Sequence, residues 1–206
     1  MTMQLIKLDA TDSTNAYLRR LLPSVACVDY TVVWAKRQSQ GRGQMGSRWQ
    51  SEPGKNLTFS VLRKGLNLPA NQGFVLNVCT SLAIYRALEM LQVPELSIKW
   101  PNDILSGTWK LCGILIENKI SGNHINTSII GIGLNVNQLY FNNLHKASSL
   151  RILLDRNFNL DALLHEIINQ LQMLFLGLQQ NGSRALWDAY GKVLFRNGMP
   201  SGFEDS

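Results

Sequence analysis

Gly41-Arg-Gly-Gln-Met-Gly-Ser-Arg-Trp49 is the stretch whose reading decides the fold. Gly41, Gly43 and Gly46 let the backbone turn sharply and bring its N–H groups against a ligand, while Arg42, Arg48 and Trp49 offer positive charge and a flat ring. That combination suits an anionic, ring-bearing ligand such as a nucleotide. Gly41 to Gly46 also satisfies G-x-G-x-x-G, which between a strand and a helix is a dinucleotide fingerprint. Here the run Gln50-Ser-Glu-Pro-Gly54 follows, a turn-forming sequence that leads into the strand-like Leu57 to Leu62. A dinucleotide oxidoreductase is therefore excluded. The chain also lacks the H-R-D and D-F-G of a kinase and any G-x-x-x-x-G-K-[ST] phosphate loop. The glycine-rich stretch is a loop between two strands.

The 206 residues, 45% of them hydrophobic, suffice for one main domain with a substantial core. Cys27, Cys79 and Cys112, odd in number and flanked by apolar residues, fit buried free thiols in a reducing compartment. His124, His145 and His165 are too scattered for metal ligation, so no metal site built from a protein cluster is expected. A net charge of +6 permits a nucleic-acid or acidic-protein partner. However, the cations occur as pairs such as Arg19-Arg20 and Arg63-Lys64 without a basic run or aromatic interleaving, which argues against a nucleic-acid-binding module. Residues 1–8 are too short and polar for a signal peptide, and no apolar run approaches the roughly 18 residues of a membrane span. The expectation is a cytoplasmic protein with no membrane partner.

Working outward from the loop, Thr31 to Lys36 is a β-branched strand that delivers Gln38-Ser-Gln40 to it. Upstream, Leu5 to Leu8 is a short strand, and Asp9 to Asn15 can cap a helix through Tyr17, Leu18, Leu21 and Leu22 that Pro23 stops. Downstream, Gly65 to Gly73 is expected to be a loop before a long helix, Gly73 to Gln92, that is apolar on most sides. Ser97 to Trp100 and Ile104-Leu105 are short strands. Leu111 to Glu117 and Asn126 to Asn137, joined by the turn Ser121-Gly-Asn123, are expected at the sheet centre. Gly113, Gly131 and Gly133 interrupt these strands where something approaches the backbone. Leu160 to Leu178 recurs at helical spacing up to Asn181-Gly182, and a last helix is capped by Ser183, with Leu186, Trp187 and Tyr190 inward.

In order along the chain, Ser13-Thr-Asn15, Gln38 to Trp49, Lys99-Trp-Pro-Asn-Asp103, Lys110-Leu-Cys-Gly-Ile-Leu115 and Gly131-Ile-Gly-Leu-Asn-Val-Asn137 resemble a biotin protein ligase. The resemblance implies an α/β (α+β) fold: a central mixed sheet flanked by helices, the class II aminoacyl-tRNA synthetase-like catalytic domain of biotin and lipoate ligases. It puts a biotin- and ATP-binding catalytic domain at 1–195 and a linker toward a small C-terminal β domain at 196–206. With Ser13 so near the start, no N-terminal DNA-binding domain fits, and a monofunctional enzyme is expected.

The implied reaction joins biotin to the α-phosphate of ATP and passes the biotinyl group to a lysine of a biotin carboxyl carrier protein. By resemblance, Ser13, Thr14, Asn15 and Gln38 meet biotin's ureido ring, and Gly41, Arg42, Gly43 and Gln44 close over the acid. Gly113 leaves room for biotin's apolar part. Lys110 is the catalytic cation on carboxylate and α-phosphate, joined by Arg42. Arg48, Trp49, Asn102, Asp103 and Asn135 are expected with Arg42 and Lys110 around ATP, Trp49 stacked on adenine, and Mg²⁺ arriving with ATP near Asp103. From spacing alone, Ser13 to Asn15 are equally helix caps, Lys110 a solvated hairpin lysine and Asn102-Asp103 a turn cap. Trp100 is expected to pack structurally. Gln44 and Ser47 depart from positions often basic in the family, which shifts the electrostatic role to Arg42 and Arg48. A lipoate or octanoate ligase or transferase shares the implied fold and is the nearest alternative. Exposed strand edges leave a homodimer open.

Overall fold

The computed structural model describes residues 3–23, 27–141, 144 and 146–198. Seven strands form one sheet in the order β1-β2-β3-β7-β6-β5-β4. β1 (Gln4–Thr11) and β2 (Thr31–Gln38) are parallel, joined across helix α1 (Thr14–Leu21). Every other pairing is antiparallel: β2 with β3 (Leu57–Pro69), β3 with β7 (His124–Leu134), β7 with β6 (Trp109–Ser121), β6 with β5 (Asp103–Ser106), and β5 with β4 (Leu96–Lys99). The sheet is thus mixed, as expected, with β7 at its centre.

Strand alternation divides the side chains between two faces. Val32 and Trp34, Phe59 and Val61, Ile114, Ile130 and Ile132 point to the larger core, where α2 (Val75–Glu89), α4 (Leu160–Asn181) and α5 (Arg184–Lys192) pack. α2 is buried on most sides because it lies between the sheet and α4. Phe59 is wholly buried there; truncation to alanine would cost about 3–5 kcal/mol through lost burial and the cavity left behind. The opposite face has a small cluster of Leu18, Cys27, Val33, Leu62 and Ile129 under α1. Beyond it the strands present small or polar residues.

Two expectations need correction. Residues 65–69 are not loop: β3 runs on to Pro69 and pairs Leu68 and Pro69 with Ile125 and His124 after a register shift. Gly65 (φ 67°) and Asn67 (φ 45°) carry the irregularity, so residues that signal a turn locally form a bulge in an extended hairpin. Trp187 does not point inward. It is 43% exposed and stacks on Phe74 with centroids 5.9 Å apart, while Leu186 and Tyr190 fill the core. Ser183 precedes α5 without a side-chain capping bond. Helix α3 (Leu150–Leu154) follows the 146–149 segment and is capped by Ser149.

The backbone N–H groups of Ile98 and Phe195 donate to the carbonyls of Val193 and Ile98, each at 2.8 Å, which ties the end of the described chain to β4. Of the expected linker, 199–206 lie outside the described residues, as does His145. All three cysteines are free and buried. No helix among the described residues is long and apolar enough to cross a membrane.

Candidate active site

The central strands lack side chains along one strip of the α1 face. Gly133 lies between Gly113 on β6 and Thr58 on β3, and Gly131 lies between Leu115 and Ser60. Gly113, Leu115, Gly131 and Gly133 of these rows floor a cavity of about 180 Å³. Of the expected site residues, only Gly41 and Asn135 do not line it.

At one end stands the first turn of α1. The Ser13 side chain caps it, accepting from the Ala16 N–H at 3.1 Å, so Ser13, Thr14 and Asn15 are held at the helix start and buried. Gln38, at the end of β2, turns its Oε1 to the Thr14 N–H (2.7 Å) and hydroxyl (3.1 Å). Ser13 is thus a helix cap, and with Thr14 it also lines the cavity.

At the other end Lys110 faces Asp103, Nζ to Oδ1 2.6 Å. Strict alternation would put Lys110 and Gly113 on opposite faces of β6. The β5–β6 register instead slips between Ile104 and Leu105, leaving Leu111 as the extra residue. This bulge turns Lys110 onto the cavity side, where its Nζ would lie 3.4 Å from a β-carbon at Gly113. Its main chain is clamped by the 146–148 segment: the Lys110 N–H donates to the Lys146 carbonyl (2.7 Å), and the Lys110 carbonyl accepts from the Ser148 N–H (3.0 Å). Lys110 is thus no free hairpin lysine. Behind it, burial pushes the Cys112 thiol up, so that sulfur stays protonated and unreactive.

The glycine loop closes the top. Gly43 N–H donates to Ser47 O (2.8 Å) and Trp49 N–H to Gly41 O (3.1 Å), making a small hairpin in which Arg42 faces Arg48. Gly41 belongs to its base, where a β-carbon would meet the Trp49 carbonyl at 2.4 Å. At the tip Met45 is fully exposed with φ 52°. Arg42 and Arg48 are exposed and form no ion pair among the described residues. The Trp49 indole lies on the glycine floor, its Nε1 buried without a partner.

Asn135 lies behind the cavity wall, its Nδ2 on the Ser148 carbonyl (3.0 Å) and its Oδ1 buried and unpaired. Asn102 donates its Nδ2 to the Ile114 carbonyl (2.9 Å) beside Asp103. Trp100 does not pack as expected: it is 66% exposed, tilted against Phe74 with centroids 6.3 Å apart. No cluster of three or more potential metal ligands occurs among the described residues. Ser60 and Glu117, absent from the expected set, are joined to Asn15. Ser60 is a polar residue between Phe59 and Val61, a signal that β3 turns a polar atom toward the face away from the main core.

This slot has hydrogen-bonding groups at one end, an apolar glycine floor, and cations at the other. It suits an elongated acid with a polar head that is met by an anion. The model of the biotin/lipoate A/B protein ligase family matches residues 8–135. The biotin--[acetyl-CoA-carboxylase] ligase of Paracoccus denitrificans is 39% identical over 129 residues, 61% of this chain and 52% of that protein. The bifunctional ligase/repressor BirA of Bacillus subtilis (strain 168) is 33% identical over 138 residues, 67% of this chain and 42% of that protein. The chain thus spans about half the length of these curated relatives. The biotin protein ligase from Aquifex aeolicus in complex with biotin and ATP superposes with a TM-score of 0.79 at 26% identity, covering 94% of this chain and 79% of that one. The Leishmania major biotin protein ligase in complex with biotinyl-5-AMP shares the fold, with a TM-score of 0.78 at 24% identity over 99% of this chain and 88% of that one.

Proposed function

The chain belongs to the biotin/lipoate A/B protein ligase family, and from that premise we propose that it activates biotin with ATP and transfers it to a lysine of a biotin carboxyl carrier protein. The observation that carries this reading is Lys110, bent by the Leu111 bulge onto the glycine floor between the polar head site and the arginine loop. A carboxylate oxygen of biotin attacks the α-phosphorus, the bond to pyrophosphate breaks, and biotinyl-AMP forms. The carrier's lysine, as free amine, then attacks the acyl carbon, the acyl–phosphate bond breaks, AMP leaves and the amine's surplus proton passes to solvent.

Bringing two unit charges of like sign to about 4 Å costs roughly 4 kcal/mol at an effective dielectric near 20. Lys110 offsets that repulsion by lying between carboxylate and α-phosphate and stabilises the charge that develops on the phosphoryl oxygens. Its pairing with Asp103 holds the ammonium in place before substrates arrive. Arg42 and Arg48 supply the remaining charge, Gln44 being neutral. Trp49 takes the adenine ring, and the Oδ1 of Asn135, buried and unpaired behind the cavity wall, is an acceptor for a nucleotide N–H.

Among the described residues, Asp103 is the only carboxylate lining the slot. One carboxylate beside phosphates is the usual protein share of a Mg²⁺ site, so these residues fit a Mg²⁺ ion brought by ATP, with Asp103 and the Asn102 Oδ1 as its holders. When bound, that ion would neutralise β- and γ-phosphate charge. Buried free thiols suit the cytoplasm as the proposed location. The outer edge of β1 is where a homodimer would pair, that of β4 being covered by residues 193–195.

The test is biotin-dependent exchange of labelled pyrophosphate into ATP by the parent chain and by Lys110→Ala. We expect exchange with biotin that falls at least about a hundredfold in the variant, the scale of losing one transition-state contact. Exchange supported by lipoate or octanoate and not by biotin would move the chain to the neighbouring ligases.

A further inference from the structure

We infer that Glu117, Asn15 and Ser60 form a positioning relay that sets the hydrogen-bonding polarity of Thr14 at the slot's α1 end, so that Thr14 presents an acceptor beside the donor that Gln38 supplies. This rests on the proposed biotin-activating function and names residues that give it selectivity. Asn15 donates its Nδ2 to the Glu117 carboxylate (3.0 Å) and to the Leu115 carbonyl (3.3 Å). A carboxylate only accepts, so Asn15 has one amide orientation open to it. Arg19 pairs with the other oxygen of Glu117 and holds that carboxylate in place. Gly131 makes the approach feasible, since a β-carbon there would lie 2.5 Å from Asn15 Oδ1.

With Nδ2 so committed, Asn15 Oδ1 faces the Ser60 hydroxyl at 2.6 Å. Amide oxygens cannot donate, and the only proton of Ser60 therefore goes to Asn15. Ser60 then offers only lone pairs to Thr14 Oγ1, 2.7 Å away. Thr14 gives its own proton either to Ser60 or to Gln38 Oε1 at 3.1 Å. In both cases that proton is held by the protein, and Thr14 turns only lone pairs to the slot. Gln38 Oε1 also accepts from the Thr14 N–H at 2.7 Å, which leaves its Nε2 on the side of Gly41, 3.1 Å from where a β-carbon would stand. One acceptor beside one donor matches the N–H and C=O of a cyclic urea and finds no counterpart on a fatty acid or a dithiolane. Ser60 is wholly buried and Asn15 is 6% exposed, so water cannot substitute for a missing link.

Ser60→Ala and Glu117→Gln test the relay, with pyrophosphate exchange measured against biotin and against ATP. In Ser60→Ala we expect the KM for biotin to rise about tenfold or more, as for leaving buried polar groups unpaired. The KM for ATP and the melting temperature should stay near the parent's. Glu117→Gln, half-exposed and tolerant of folding, should shift the biotin KM the same way by a smaller factor, and it decides the matter if Ser60→Ala does not fold. An unchanged biotin KM in a folded variant, or equal rises for biotin and ATP, would overturn the relay while leaving the enzyme assignment intact. A parent chain without biotin-dependent exchange would overturn both.

Discussion

The Trp49 indole rests directly on Gly133, where a β-carbon would lie 2.3 Å from Trp49 Cε2. The ring thereby covers part of the slot floor, and the cavity of about 180 Å³ that remains is smaller than the ~300–1,000 Å³ usual for ligand pockets. On the proposed function, admission of biotin and ATP requires the indole and its loop to lift. Trp49→Ala should bind biotin at least as tightly as the parent, while its KM for ATP rises about tenfold through loss of base stacking. Calorimetry and exchange kinetics measure the two separately; weakened biotin binding would show that the indole is a wall of the acid's site and not a removable cover. Gly133→Ala should abolish biotin binding without unfolding the chain, because its β-carbon takes the floor itself.

Arg42 and Arg48 are exposed and have no carboxylate partner among the described residues, so on the proposed function they are available to the triphosphate. Arg48→Ala should raise the KM for ATP about three- to tenfold, less than a buried contact because the side chain starts in water. Added salt should weaken ATP binding in the parent more than in the variant. Equal KM values for parent and variant would return the charge-carrying role to Lys110 alone.

Just before the Ser13-Thr14 turn, Arg20 grips Asp12 through two bonds of 2.7 and 2.9 Å, and the Ser13 N–H adds a third at 2.8 Å. The Arg20 guanidinium, then these hydrogen bonds, hold the Asp12 carboxyl well below the usual carboxylate range. A folded-state value depressed in this way gives stability that is fully present above the unfolded value of about 3.9 and is lost as pH falls through the folded one. Arg20→Ala should thus be slightly less stable than the parent at pH 7, the pair being well exposed, with the gap narrowing below about pH 4. Urea midpoints at pH 7, 4 and 2.5 follow this; a gap that widens in acid would contradict it.

What the sequence by itself determined is local. The Ser13 cap, the helix that Pro23 stops, the polar end of β2, the glycine loop between strands and the apolar α4 all follow from short-range propensity and spacing, whereas the motifs that hold Thr14, Gln38 and Lys110 stood out by their resemblance to a family. Tertiary structure decided what depends on register between strands far apart in the chain. Gly65 and Asn67 carry turn signals, and only pairing with β7 makes them a bulge inside β3. Lys110 reaches the slot because an extra residue at Leu111 reverses the face of β6, a change that alternation read from sequence places on the wrong side. Ser60, Glu117 and Asn15 come from β3, β6 and α1, and their joint role exists only where Gly131 lets the three elements meet. Likewise, Trp49 finds Gly133 only when the loop folds back over β7. Propensity acts through neighbours along the chain, whereas hydrogen-bond polarity and free volume are set by neighbours across it.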